Sequence, residues 1–167
     1  MALTGCSQPQ PPVPPPPPPP TSSEQGTDCP SPGVRITAGP SDAATGERAM
    51  PLDLINCGTG PFEVAGYPSL RVLDEDGQVL PITITNGASP MEDPGPQPIV
   101  IEPGEMARAV TYWRNTVGDG GPVALTGTAL EVRARPGDEP QPVTSDGPID
   151  LGSTGTLDVT AWEPYSG

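Results

Sequence analysis

Apolar and polar residues alternate with period two in short runs from Val34 to Trp162, separated by Gly, Pro and Asp, and no helical periodicity competes with them. The folded part of the chain is thereby restricted to strands and turns. Val34 to Ala38 opens a first strand, and Arg48 to Asn56 makes a second in which Leu52 and Leu54 face a core and Asp53 faces solvent. Leu70 to Leu73 is a third. Asp76-Gly77 has tight-hairpin chemistry and predicts a return through Val79 to Thr85, where Ile82 and Ile84 alternate with Thr83 and Thr85. Ile99 to Ile101, Met106 to Arg114, Leu130 to Arg133 and Thr156 to Trp162 follow, the last with Leu157, Val159 and Ala161 on one face and Asp158 and Thr160 on the other. Two acidic, proline-rich segments, Asn86 to Pro98 and Pro136 to Pro148, read as loops. About seven to nine short strands predict an all-β fold, an immunoglobulin-like antiparallel β-sandwich rather than a closed barrel.

The 167 residues suffice for one domain. With one Phe, two Trp and three Tyr in the chain, its core must be mostly aliphatic. The expected division is 1–6 as a lipobox remnant, 7–31 as a disordered proline-rich linker and 32–165 as the β-sandwich.

Leu3, Thr4, Gly5 and Cys6 resemble a lipobox, the stretch that ends a bacterial lipoprotein signal peptide just before the lipidated cysteine. Only Met1 and Ala2 precede it, so the charged and apolar regions of a signal peptide are missing or truncated in this sequence. With Cys6 assigned to lipid, Cys29 and Cys57 remain as a pair. An oxidising compartment would join them, for roughly 3 to 4 kcal/mol in the chain-entropy model; the alternative is two buried thiols. Between anchor and domain, Pro11, Pro12 and the run Pro14 to Pro20 lack backbone donors and favour polyproline II. At about 3.1 Å per residue that run reaches roughly 22 Å, a stiff spacer. No stretch has the roughly 18 apolar residues of a membrane-spanning helix, so membrane attachment is expected through lipid on Cys6.

Seven basic residues, all arginine, stand against 21 acidic ones for a net charge of −14. A polyphosphate would be repelled, and Arg35, Arg48, Arg71, Arg108, Arg114, Arg133 and Arg135 are scattered, so nucleic acid is not an expected partner. Histidine is absent, which removes the commonest general base and every Ser/His or Cys/His pair. Asp74, Glu75 and Asp76 form the densest carboxylate cluster, but their spacing lacks the alternating oxygen ligands of a calcium loop and reads as a solvated turn. Glu92-Asp93 and Asp138-Glu139 read as loop carboxylates. Ser69, Ser89, Ser145 and Ser153 lack a nucleophile elbow. No catalytic, cofactor-binding or metal-binding residue is expected, and no cofactor.

Asn56-Cys57-Gly58, Pro61, Gly66-Tyr67-Pro68, Arg71-Val72-Leu73-Asp74, Trp113 to Val117, Leu151-Gly152, Leu157 and Ala161-Trp162 together resemble the secreted actinobacterial family defined by domain of unknown function DUF4232. The resemblance spans Gly33 to Trp162 and implies an extracytoplasmic β-sandwich on a lipoprotein or membrane stalk, with no reaction. Relatives carry further cysteines in the second half that this chain lacks, so no second disulfide is expected. Of the residues in these motifs, Tyr67 is expected to bury its ring and direct its hydroxyl to a backbone partner. Trp113 and Trp162 are expected as core or sheet-corner residues rather than binding platforms.

The expected function is that of a non-enzymatic cell-envelope lipoprotein domain, extracytoplasmic and lipid-anchored, binding or scaffolding an envelope protein or cell-wall partner. A purely structural envelope domain without a soluble ligand is the alternative, and an enzyme comes third.

Overall fold

The computed structural model describes residues 29–87, 90–118 and 122–166. Cys6, the lipobox and most of the expected proline-rich linker lie outside the described residues. Among those described the fold is an all-β sandwich of twelve strands without helix. The strands are β1 (Val34–Ala38), β2 (Asp42–Ala44), β3 (Glu47–Asn56), β4 (Phe62–Ala65), β5 (Ser69–Leu73), β6 (Thr83–Asn86), β7 (Pro98–Ile101), β8 (Met106–Arg114), β9 (Leu125–Arg133), β10 (Gln141–Gly152), β11 (Thr156–Val159) and β12 (Glu163–Tyr165).

One layer is a large sheet in the order β1-β3-β8-β11-β6. β2 shares the margin of β3 with β1, and β12 shares the margin of β8 with β11. The other layer holds a three-stranded sheet, β10-β9-β5, and a two-stranded sheet, β4-β7. A single core lies between the layers. Met50, Leu52 and Leu54 of β3, Ala107, Ala109 and Trp113 of β8, and Leu157 and Val159 of β11 meet Val72, Leu130, Val132, Ile149, Leu151 and Val64 of the facing sheets. The interior is mostly aliphatic because alternation sends Leu, Val and Ile inward at every second position.

Four features depart from expectation. First, the segment read as a loop from Pro136 to Pro148 is largely strand: β10 pairs with β9 from Gln141 onward, and residues 145–148 bulge opposite Thr128. Pro142 and Pro148 concealed it, yet β10 is a sheet margin and Pro148 lies in the bulge, which are the places where a strand tolerates a missing N–H. Second, the Asp76-Gly77 turn forms, with the Gly77 amide donating to Asp74 O, but the return ladder ends at Val79 and Leu80. Pro81 has no amide to continue it, and β6 instead pairs in parallel with β11, so the sandwich is not wholly antiparallel. Third, strands β2, β4 and β12 raise the number above the expected seven to nine. Fourth, Thr160 is buried rather than outward-facing, and its hydroxyl accepts the Val110 amide at 2.9 Å.

The edge of β1 is closed by a side chain. The Gln141 carboxamide accepts from the Ile36 amide (3.0 Å) and donates to Val34 O (2.9 Å), reproducing one rung of a ladder between the two layers. Ser41, whose amide and hydroxyl donate to Asp146, ties the same seam further along.

Candidate functional site

Cys29 and Cys57 are joined in a disulfide, with Cα atoms 5.5 Å apart, where the proline-rich segment enters the domain. Asn56 organises the neighbouring turn. Its buried amide donates to Gly60 O and Ile101 O, and its carbonyl oxygen accepts the Gly58 amide. Asn56-Cys57-Gly58 is therefore a structural motif that holds the base of the domain together.

The outer face of the large sheet carries most of the molecule's organised polar chemistry. β3 and β8 pair Asp53 with Arg108 and Glu47 with Arg114 directly across the ladder. Arg108 meets Asp53 in a bidentate pair whose Nε–Oδ1 distance is 2.6 Å, and Tyr165 of β12 stacks on the guanidinium 3.5 Å away. Arg114 donates to Glu47 at 2.9 Å and to the Tyr112 hydroxyl at 3.2 Å. Tyr112 points outward yet is only 5% exposed. Beside it lies a recess of about 260 Å³, where Ala43, Ala49 and Tyr112 face Pro90 and Met91. Asp42 and Glu47 contribute carboxylates to its lining.

Residues 90–97 form a proline-rich strap whose Pro90 and Met91 line this recess, and one side chain clasps it. Asp93 Oδ2 accepts the Tyr67 hydroxyl at 2.7 Å, and Oδ1 accepts the Ala161 amide at 2.8 Å. Burial acts to raise the Asp93 carboxyl, but hydrogen bonds from the Ala161 amide, the Tyr67 hydroxyl and the Gly95 amide outweigh it and hold the group below its ordinary range. The Asp93 bond, burial and the Asp93 charge together raise the Tyr67 hydroxyl. Gly87 has φ +74°, and a Cβ there would come within 3.1 Å of both Asp93 Oδ2 and the Tyr67 hydroxyl, so a side chain would strain the turn and crowd the clasp.

A second carboxylate closes one end of the sandwich. Asp150 accepts Trp113 Nε1 (3.0 Å) and Asn115 Nδ2 (2.9 Å), and pairs with Arg48 at 3.3 Å. Burial again opposes ionisation, and these three partners overcome it, so Asp150 too sits below the usual carboxylate range. Trp113 is a core residue with its indole N–H satisfied, and Trp162 is another, donating to Ala134 O at 3.1 Å.

The remaining expected residues fall into place as follows. Asp74 Oδ1 accepts the Asp76 and Gln78 amides, so that cluster is a self-capped turn. Tyr67 is half-buried, and its hydroxyl partner is the Asp93 side chain rather than backbone. Asp93 and Asp138 are not idle loop carboxylates: Asp138 engages Arg135, whose guanidinium also lies over Phe62 at 4.3 Å. Sequence reasoning assigned no role to Asp93, Asp150 or Gln141 because each acts on residues distant in sequence, and it met Asn56 only as part of a motif. A dipeptide such as Glu92-Asp93 carries no sign of which oxygen meets which amide.

A family model for a domain of unknown function, DUF4232, matches residues 29–163. The chain belongs to the DUF4232 family. The match begins at the first disulfide cysteine and ends in β12, so the DUF4232 domain includes the whole core described above. No curated protein and no solved structure matches the chain.

Proposed function

We propose that this DUF4232 domain is a non-enzymatic module of the cell envelope, held outside the membrane by lipid on Cys6 and binding or scaffolding another envelope component. The disulfide at the base of the domain carries the reading, because such bonds persist in oxidising compartments. The lipobox-like Leu3 to Cys6 and the proline-rich run Pro14 to Pro20 support an anchor and a spacer upstream of that bond. Asp93 and Asp150 serve the fold, since each carboxylate is engaged by several donors from distant parts of the chain. The recess between Tyr112 and Met91 is the surface this reading assigns to a partner.

Fractionation of the native host expressing the complete gene tests the tether. The wild-type chain is expected in the membrane fraction, and Cys6→Ser is expected to release it into the soluble extracytoplasmic fraction. Equal membrane retention of both would remove the anchor from the account.

A further inference from the structure

The margin of the large sheet at β6 is built differently from the margins at β1 and β10. The Thr83 amide donates to Gly155 O at 2.9 Å and the Gly87 amide to Val159 O at 3.0 Å. In a parallel ladder the N–H and C=O of one residue serve the same neighbour, so residues 83, 85 and 87 face β11. Ile84 and Asn86 therefore direct their N–H and C=O groups away from the sheet. Thr83, Thr85 and Asn86 are exposed, and Ile84 is half-buried.

Open edges are normally protected by charge, proline, bulges or a covering group. β1 is covered by Gln141, and β10 carries Pro142, Pro148 and its bulge. β6 is short, at four residues, but carries no charge, proline or bulge, and among the described residues no group covers it. Residues 77–91 hold no charged side chain in a chain of net charge −14, and Ile82 to Thr85 are all β-branched.

We propose that β6 pairs antiparallel with β6 of a second copy of this chain, about a two-fold axis at Thr85. In that register Ile84 exchanges both backbone bonds with Asn86 of the second copy, and symmetry repeats the exchange. All four outward-facing groups of the strand are satisfied and Thr85 faces its counterpart, a compatible cross-strand pair. A second copy fits better than a basic partner, because β6 offers no carboxylate to recognise and an uncharged edge brings no like charges into contact. So short an interface falls below the roughly 1,200 Å² of stable complexes, so association is weak and occurs where the chain is concentrated.

Sedimentation equilibrium of the full chain over a concentration series is the test, with amide exchange as the site-specific readout. The expected result is a monomer–dimer equilibrium that tightens as salt screens the overall negative charge. The Ile84 and Asn86 amides gain protection only at high concentration. Asn86→Pro deletes an outward N–H and leaves the β11 ladder intact, and it should weaken the dimer about tenfold. If that variant does not fold, Thr85→Glu, which sets two carboxylates against each other at the axis, serves the same purpose. A chain that stays monomeric at every concentration, or a dimer insensitive to whichever variants fold, overturns the proposal.

Discussion

Segments 90–97 and 136–148 are both acidic and rich in proline, yet one becomes a strap and the other enters a strand. The second meets β9, whose alternating Leu130 and Val132 provide a ladder and a core for Val143 and Ile149. Pro142 and Pro148 are accommodated at a margin and in a bulge. Residues 90–97 form no strand and are held by side chains, above all by Asp93. What separates them is the availability of a partner strand, a property of the fold rather than of the segment.

The largest expected effect sharpens this contrast on the strand side. Ile149→Ala removes fully buried methyl and methylene groups between the layers and should lower unfolding free energy by about 2–5 kcal/mol, measured by denaturant titration. Asp93→Asn acts on the strap. It should cost about 1–3 kcal/mol and, more tellingly, increase proteolytic cleavage within 90–97 while β10 remains resistant. Cleavage appearing equally in both segments would remove the distinction. Gly87→Ala forces a side chain into a positive-φ position against the clasp and should cost about 1 kcal/mol, read as a shift in melting temperature.

Acid provides a smaller and reversible form of the same test. The folded pKa of Asp93 is depressed, so the unfolded state takes up its proton first. Its contribution is complete above the ordinary carboxylate pKa of about 3.9 and is lost as pH falls through the lower folded value. Asp150 behaves alike. Asp93→Asn should therefore flatten the acid limb of a stability–pH curve only in part, and adding Asp150→Asn should flatten it further.

Strands with clean alternation and no proline, such as β1 and β5, were legible in the sequence because their periodicity is itself the burial pattern. β4 alternates as Phe62-Glu63-Val64-Ala65 but spans four residues between Pro61 and Gly66, too short to stand apart from its turns. β2 and β12 are mostly exposed and owe their conformation to β3 and β8. The crossing of β6 to β11 was hidden by a hairpin signal that is locally correct and ends at Pro81. Of the site, the disulfide was legible from three cysteines, one of them in a lipobox-like setting. The Asp93 clasp and the Gln141 rung were not, because each joins residues tens of positions apart.

The central claim, an extracytoplasmic domain on a lipid tether, is tested most directly by peptide mass spectrometry without reduction on the chain isolated from its native host. The account predicts a diacylglyceryl group on Cys6 together with a linked Cys29–Cys57 peptide. An unmodified Cys6 accompanied by two free thiols at Cys29 and Cys57 would contradict it.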